Sequence, residues 1–353
     1  MKIVNINVRQ LKSGMIIFED IINSSGAIIL TKDSILDDNS ITKLKSNNVE
    51  KVKIFFADSL TGIDNLNAIY NKEKVEIFQR SYDEKVDEIT DILKSIGRGN
   101  NVEMDEIKNI SLKIVNEFDI LSDLLNFMNV LKPLDDLTFA HSLNVSIIGI
   151  VIGNWLGMSE DDLGDLATAG LLHDVGKTQI DEKILEKPSK LTNEEFEEIK
   201  KHPVLGYKMV ENMVGVNDNI RNSVLMHHER IDGTGYPLGL KDEGIPLFPK
   251  IIAIADIYDA MTSNRPYRDK MCPFDVIKDF EMHTFGKLDT KALTTFLSNI
   301  ANAYKGDFVE LSNGEIGEVV FINPNRVWQP IIRVGEEFVD LSTSKDISIK
   351  EII

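Results

Sequence analysis

Residues 173–177 read His-Asp-Val-Gly-Lys, and they contain two of the candidate metal ligands of the chain. An adjacent His-Asp pair offers one imidazole nitrogen and one carboxylate, whose two oxygens can contact two metal ions at once. The pair alone is a weak signal, because such dipeptides occur by chance. However, the chain has only six histidines, and five of them share one segment, at His141, His173, His202, His227 and His228. This concentration indicates metal ligation.

The candidate ligands are imidazoles and carboxylates, without sulfur. Asp256, inside a long apolar run, adds a second carboxylate to that of Asp174. Such a mixture disfavours structural zinc and suits iron, manganese or another divalent ion. The number of ligands exceeds the needs of one ion, so two ions bridged by Asp174 are predicted. Taken singly, His141 could be a core residue, His202 a partner of helix-terminal carbonyls, and His227-His228 a surface pair.

Three basic residues and one acidic residue near these ligands are candidates for contacting a substrate. Lys177 can neutralise a phosphate oxygen as charge builds, although a solvated surface lysine is the alternative. Asp259 shares a helix face with Asp256 and is also predicted to contact substrate. Arg265-Pro-Tyr-Arg268 suits phosphate or guanine recognition, because a planar guanidinium donates two parallel hydrogen bonds. A salt-bridged surface turn is the alternative for these arginines.

The bulk properties exclude some classes of protein. A chain of 353 residues predicts two or three domains, and a formal net charge of −18 argues against a nucleic-acid polymer as partner. The single cysteine, Cys272, allows no intramolecular disulfide and no thiolate metal cluster. No signal peptide or membrane-spanning run is visible, so a cytoplasmic protein without a membrane partner is predicted.

Periodicity predicts a mainly α fold, with an all-helical domain between two small strand-containing modules. The predicted domains are a small α+β regulatory module (1–70), a helical connector (71–132), a catalytic helical domain (133–305) and a small β module (306–353). The terminal modules are predicted to contain four strands each. The helices between 72 and 131 could form an antiparallel pair or a dimerising coil, so a homodimer through them is one expectation.

Within 133–305 the predicted helices cover 138–156, 159–172, 192–202 and 216–226, followed by an apolar helix and two more. Gly176 is expected to supply the turn after His173-Asp174. His202 is expected to end the acidic helix 192–202. Pro249 is expected to open the apolar helix that carries Asp256.

A resemblance becomes specific when these motifs are combined. His173-Asp174, together with His227-His228-Glu229-Arg-Ile-Asp232-Gly233-Thr-Gly235-Tyr236-Pro237, resembles the HD-GYP family of cyclic di-GMP phosphodiesterases over about residues 133–305. The resemblance implies an all-helical HD-type phosphohydrolase fold with an iron-type centre. It also implies that cyclic di-GMP is hydrolysed to pGpG and onward to GMP by a metal-bridging hydroxide.

The resemblance assigns roles to individual residues. One ion would be held by His141, His173, Asp174 and Asp256, and the other by Asp174, His202, His227 and His228. Lys177 matches a phosphate-contacting lysine, while Arg265 and Arg268 match a substrate-gripping stretch. Tyr236 lies in the Gly-Tyr-Pro loop, which would shape the site and offer a surface to a protein partner.

One position departs from the family pattern. Some members carry a glutamate one helical turn before the first histidine, which holds a third metal ion, whereas this chain has Leu137 there and Asp136 beside it. Two ions are therefore predicted. Two other functions stay open: a cyclic dinucleotide receptor or docking module with little turnover, and a phosphodiesterase for another cyclic dinucleotide such as cyclic GMP-AMP.

Overall fold

The structure is a computed structural model. It describes residues 2–8, 11, 15–23, 27–47, 49, 51–56, 72–100, 102–116, 137–185, 187, 189–263, 271–344 and 346–352. The chain divides into two compact units, each with its own core. One unit comprises Met1–Gln79, Gly306–Phe321 and Pro330–Ile353, and the other comprises Arg80–Lys305 and Ile322–Gln329.

The first unit is built mainly from short antiparallel strands. Its elements are β1 (Lys2–Asn7), β2 (Ile16–Ile17), β3 (Ile21–Ile22), β4 (Ile28–Leu30), α1 (Asp38–Ser46), β5 (Lys51–Phe56), β6 (Phe308–Leu311), β7 (Ile316–Phe321), β8 (Ile331–Val334), β9 (Glu337–Asp340) and β10 (Ile349–Ile352). The strand orders are β1-β5-β2, β3-β4 and β10-β6-β7-β8-β9. β10 is a fifth strand in the C-terminal region, where four were predicted. It pairs with β6, which is far from it along the chain, so no hairpin signal marks it.

The core of the first unit draws on both ends of the chain. Ile17, Leu36, Leu44 and Ile54 are buried there, and Phe308 from β6 belongs to the same cluster. The two terminal regions, predicted as separate modules, therefore share one core. The domain limits given above stay predictions.

The second unit is helical. Its helices are α2 (Lys72–Gly97, which begins in the first unit), α3 (Met104–Val115), α4 (Leu137–Trp155), α5 (Glu160–Leu172), α6 (Glu182–Leu185), α7 (Asn193–Ile199), α8 (His202–Val210), α9 (Asp218–Met226), α10 (Leu247–Thr262), α11 (Pro273–His283) and α12 (Thr290–Ala303), with 3₁₀ turns at Val175–Gln179 and Asp242–Gly244. The predicted mainly α fold with small strand-containing modules is confirmed. None of the described helices is long and apolar enough to cross a bilayer.

Helix α4 is the centre of the second unit. It is apolar on every side, and the residues from Ala140 to Ile152 are buried, as expected for a helix surrounded by protein. α5 and α10 pack against it. At Gly170 of α5 an added Cβ would lie 2.4 Å from the Cα of Ser146, so the two helix backbones touch. This contact places the end of α5, with His173, beside the His141 end of α4.

Two predicted helix ends are wrong. His202 does not end the acidic helix: α7 stops at Ile199, and His202 is the first residue of α8, where Pro203 is tolerated because first-turn N–H groups have no intrahelical partner. The apolar helix α10 begins at Leu247 rather than at Pro249, with Pro246 as its N-cap. Pro203 therefore lies in the first turn of α8 and not after the end of α7, while Pro249 is the third residue of α10 and not its first.

Gly176 is required for a reason other than the predicted turn. An added Cβ would lie 2.0 Å from the carbonyl oxygen of His202 and 2.5 Å from the backbone nitrogen of Gly206. The segment Val175–Gln179 continues as a 3₁₀ helix that packs directly on α8. The missing side chain therefore lets the backbone after Asp174 approach His202 closely.

We expect Gly176→Ala to destabilise the protein by about 3 kcal/mol or more, because the methyl group would collide with rigid backbone of α8. The matched control is Gly244→Ala, whose Cβ would meet only the Leu240 side chain, at 3.5 Å. Urea denaturation measures both changes. Equal midpoints for the two variants would contradict the close approach.

Candidate metal centre

The seven predicted ligands converge from separate helices. His141 comes from α4, Asp256 from α10, and His202 from the start of α8, while the pairs His173-Asp174 and His227-His228 follow α5 and α9. The structure brings them together in two groups: Asp174, His202, His227 and His228, and His141, His173 and Asp256. Within each group, one ligand atom from each residue lies within 4.8 Å of the others. Their roles as ligands stay predictions.

Asp174 lies between the two groups. Its Oδ2 is 3.2 Å from His173 Nε2 and 3.7 Å from His141 Nε2. Its Oδ1 is 3.2 Å from His202 Nε2 and 3.8 Å from His227 Nε2. Each oxygen thus faces a different group, which is the arrangement that a bridging carboxylate requires.

Two buried atoms of this cluster have no hydrogen-bond partner. Within the described residues of the cluster, these atoms are His173 Nε2 and Asp174 Oδ1. Leaving a polar atom buried and unpaired costs about 1–3 kcal/mol, and more for a charged group. A divalent cation would satisfy both atoms, so the donor set fits metal ions in its chemistry as well as in its convergence.

The backbone holds three of the histidines in the orientation that ligation requires. His173 Nδ1 is 2.7 Å from the Gly170 carbonyl oxygen, and His202 Nδ1 is 2.7 Å from that of Ile199. His227 Nδ1 lies 3.1 Å from the carbonyl oxygens of Ser223 and Val224. A carbonyl oxygen near a helix end can accept a second hydrogen bond or lacks an intrahelical donor, so the imidazole of a histidine three or four residues later can donate to it. The proton is then on Nδ1, and the lone pair of Nε2 faces the cluster.

His141 is oriented by a carboxylate instead. Its Nδ1 lies 2.7 Å from Oδ2 of Asp259, and Asn144 Nδ2 donates to the other Asp259 oxygen at 2.8 Å. Asp259 is only 4% exposed. The predicted contact between Asp259 and substrate is therefore revised, because both of its oxygens are engaged beneath the cluster. The spacing of three residues predicts that Asp256 and Asp259 lie on the same side of α10. It does not predict how deeply Asp259 is buried.

Charge compensation controls protonation in the cluster. Burial raises the pKa of Asp174, but the charges of His173 and Lys177 outweigh burial and hold it well below its usual range. Burial also raises the pKa of Asp256, and hydrogen bonding and charge from His141 outweigh that effect. Burial lowers the pKa of His141, but Asp256 and Asp259 outweigh it and raise the pKa to about 9. Both carboxyl groups are therefore ionised at neutral pH.

The adjacent pair His227-His228 behaves in the opposite way. Burial, reinforced by His228 and His173, holds the pKa of His227 well below its usual range. Burial lowers the pKa of His228 to about 3, against the opposing charge of Asp256. These imidazoles stay neutral at physiological pH, which is the protonation state that metal ligation requires.

Two of the predicted substrate contacts lie beside the cluster. Lys177 Nζ is 2.5 Å from Asp174 Oδ2, and a quarter of the lysine side chain is exposed. Tyr236 stacks on His228 with ring centroids 4.6 Å apart. Arg265 and Arg268 lie outside the described residues, so their contacts with a substrate stay predictions.

Known proteins resemble this chain in sequence and in fold. Residues 127–291 match the family model described as HD domain. Cyclic di-GMP phosphodiesterase PA4108 of Pseudomonas aeruginosa is 33% identical over 230 residues, which cover 65% of this chain and 54% of that protein. Residues 127–291 belong to the HD domain family, and the relatives and motifs support its HD-GYP branch.

Two further relatives extend the comparison. 3′3′-cGAMP-specific phosphodiesterase 1 of Vibrio cholerae is 32% identical over 193 residues, or 54% of this chain and 44% of that protein. The solved structure of Bd1817, an HDG“Y”P protein from Bdellovibrio bacteriovorus, shares the fold with a TM-score of 0.51 and 19% identity, covering 84% of this chain and 98% of that chain. The chain spans about half the length of the curated relatives.

The loop that gives the HD-GYP family its name is held by a residue to which the sequence alone assigned no role. Glu229 is 3% exposed, and its carboxylate accepts hydrogen bonds from the backbone N–H groups of Leu238 (2.6 Å), Gly239 (3.1 Å) and Leu240 (2.9 Å). Its position directly after His227-His228 and before a glycine-rich loop was the available signal. At Gly235 an added Cβ would lie 2.4 Å from the backbone nitrogen of Arg230, so the loop also packs on the backbone.

We expect Glu229→Ala to release this loop, because three N–H groups lose a charged acceptor, a loss of about 2 kcal/mol or more. Hydrogen exchange at residues 238–240 should accelerate by on the order of 10- to 100-fold. Glu243→Ala, at an exposed glutamate in the nearby 3₁₀ turn, is the control. Unchanged exchange in Glu229→Ala would show that the carboxylate does not hold the loop.

The pKa of His141 is raised and those of His227 and His228 are lowered, so the free energy of unfolding of the chelator-treated protein should pass through a maximum as the pH is varied. His227 and His228 have folded pKa values below the ordinary 6.5, so the unfolded chain binds more protons and stability falls as the pH drops below 6.5. His141 has a folded pKa of about 9, so its contribution is complete below pH 6.5 and is lost as the pH rises to 9. Urea denaturation at pH 5, 6.5 and 9 should therefore show the highest midpoint near pH 6.5.

The variant His141→Gln isolates the alkaline side of this profile. It should lose the decline between pH 6.5 and 9 and keep the acidic decline. His283→Gln changes an exposed histidine and serves as the control. An unaltered alkaline decline in His141→Gln would assign that decline to another group.

Proposed function

We propose that this HD-GYP protein is a metal-dependent phosphodiesterase that hydrolyses cyclic di-GMP to pGpG, GMP or both. The observation that carries the proposal is the position of Asp174, whose two oxygens face two separate groups of ligand atoms. Lys177 lies beside the same carboxylate, where it can reach an anionic substrate. The names of the curated relatives support this substrate class.

We propose that two divalent transition metal ions bind here, with iron preferred over manganese. His141, His173, Asp174 and Asp256 would hold one ion, and Asp174, His202, His227 and His228 the other. An imidazole-rich donor set without sulfur supports this choice. Paired divalent ions lower the pKa of bound water and stabilise charge on the attacking and leaving oxygens of a phosphoryl displacement.

The side chains around the cluster would bind and orient the substrate. The Lys177 ammonium group, on a flexible stem, can turn from Asp174 to a non-bridging phosphate oxygen as negative charge builds there. Tyr236 forms an aromatic wall against His228. Arg265 and Arg268 are proposed to grip phosphate or guanine. These local cations matter because the chain as a whole, at −18, repels an anionic ligand.

The test combines metal analysis with product analysis. The protein is purified without oxygen, its metal content is measured, and products of cyclic di-GMP are separated by chromatography. Two equivalents of metal and the appearance of pGpG are expected. Lys177→Met should keep the metal content and lower kcat/KM by on the order of 10²- to 10³-fold, because one charge-stabilising donor is lost. Asp174→Asn should lose both metal and turnover.

Lys208→Met, at an exposed lysine of α8, is the matched control for Lys177→Met and should behave as the wild type. Fewer than two equivalents of metal in the active wild type would refute the paired-ion proposal. Full metal content with intact cyclic di-GMP would instead favour the receptor or docking function.

Cyclic GMP-AMP is the second candidate substrate, because two relatives from Vibrio cholerae are named as specific for it. The two substrates are compared by kcat/KM under the same conditions, and the larger value identifies the preferred one. The protein partner at the Gly-Tyr-Pro loop and the homodimer through residues 72–131 stay proposals. Analytical ultracentrifugation of the full chain tests the homodimer.

A further inference from the structure

A chain of buried hydrogen bonds connects the metal centre to helix α2. The Tyr82 hydroxyl donates to Asn144 Oδ1 at 2.6 Å, and Asn144 Nδ2 donates to Asp259 Oδ1 at 2.8 Å. The second Asp259 oxygen, Oδ2, lies 2.7 Å from His141 Nδ1. Tyr82 lies outside residues 127–291, the part that matches the HD domain family. A residue beyond that domain is therefore linked to one of the candidate ligands.

The direction of each hydrogen bond follows from the chemistry of its partners. The Asp259 carboxylate accepts an N–H group from Asn144 and another from His141, and its Oδ1 also accepts from the Ser263 hydroxyl at 3.1 Å. The donation by Tyr82 to Oδ1 selects the Asn144 amide orientation in which Nδ2 faces Asp259. Nε2 of His141 lies 3.1 Å from Asp256 Oδ1, and a metal ion bound there would displace the Nε2 proton while Asp259 keeps the other proton on Nδ1.

Burial makes this relay sensitive to the loss of one member. Tyr82 is 1% exposed, Asn144 8% and Asp259 4%. Without the hydroxyl, Asn144 Oδ1 loses a donor in a place that solvent does not reach. If the Asn144 side-chain amide then rotated by half a turn, its oxygen would face the Asp259 carboxylate, and the two oxygens would repel each other. Either outcome loosens the support of His141.

We propose that Tyr82 is a positioning residue for His141, and through it for one of the two metal sites. The proposal rests on the metal sites of the proposed function. The relay reaches the ligand group of His141, His173 and Asp256, whereas His202 and His227 are oriented by backbone carbonyls. The two sites should therefore respond differently to the same substitution.

The experiment titrates the metal-free full chain with Mn²⁺ without oxygen. Tyr82→Phe should weaken one of the two binding steps by about 10-fold or more and leave the other unchanged, as found when the supporting partner of a ligand is removed. kcat for cyclic di-GMP should fall while KM stays the same. Tyr207→Phe, which removes a hydroxyl from a half-buried tyrosine of α8, is the matched control and should keep both steps.

A double-mutant cycle separates positioning from a general packing role. Asn144→Ala should weaken the same binding step as Tyr82→Phe, and the combined variant should be no weaker than Asn144→Ala alone. Additive losses, or equal weakening of both metal sites, would overturn the proposal. Asn144→Ala also tests the relay without altering the core around the Tyr82 ring, so its unchanged metal binding would overturn the proposal as well.

The metal titration does not depend on turnover. A wild type that binds two ions but leaves cyclic di-GMP intact would refute the proposed function and leave the role of Tyr82 standing. Conversely, an active enzyme whose two binding steps are unaffected by Tyr82→Phe would refute only the role of Tyr82.

Discussion

The helical unit depends on one constraint, the burial of the Asp174 carboxylate between two sets of imidazoles. A buried carboxylate is costly unless positive charge or hydrogen-bond donors surround it. Here Lys177 and four histidines approach it within 4 Å, yet Asp174 Oδ1 and His173 Nε2 remain without a hydrogen bond. The protein alone therefore does not complete this cluster. Cations are the partners that its chemistry requires.

This requirement explains why the ligands occur at helix ends. His173 and His227 each follow the last turn of a helix, and His202 begins one. At these positions backbone carbonyls near a helix end hold Nδ1, while Nε2 remains directed toward the cluster. His141 lies within the apolar helix α4 and not after its last turn. A dedicated carboxylate, that of Asp259, takes over the same task.

The scaffold limits movement around the site through contacts between backbones. Gly170 permits α5 to touch α4, Gly176 permits the segment after Asp174 to touch α8, and Gly235 lets the Gly-Tyr-Pro loop rest on residues 228–230. Glu229 then holds the far side of that loop through three backbone N–H groups. Rigid support of this kind keeps ligand positions within the narrow range that metal binding needs.

The local pattern of the sequence was sufficient for much of this account. The clustering of scarce histidines, with one aspartate beside His173 and another inside an apolar run, indicated the seven residues that converge, because side-chain type and spacing are visible in the sequence. The apolar period located most helices to within a few residues, since a helix buried on one side must repeat its apolar residues. The error at His202 arose because Pro203, in the first turn of α8, resembles a proline that ends a helix, and the error at Pro249 arose because a proline is tolerated at more than one position of a first turn.

The sequence by itself determined which imidazoles and carboxylates are candidates for ligation, the helical framework and the family resemblance. Only the tertiary structure decided depth and partners: that Asp259 lies beneath His141, that Glu229 holds a loop, that Phe308 shares a core with the N-terminal strands, and that Tyr82 reaches Asn144. The physical reason is that residue type and spacing specify which side of an element a side chain occupies. Which residue meets it there depends on packing between segments far apart in the chain.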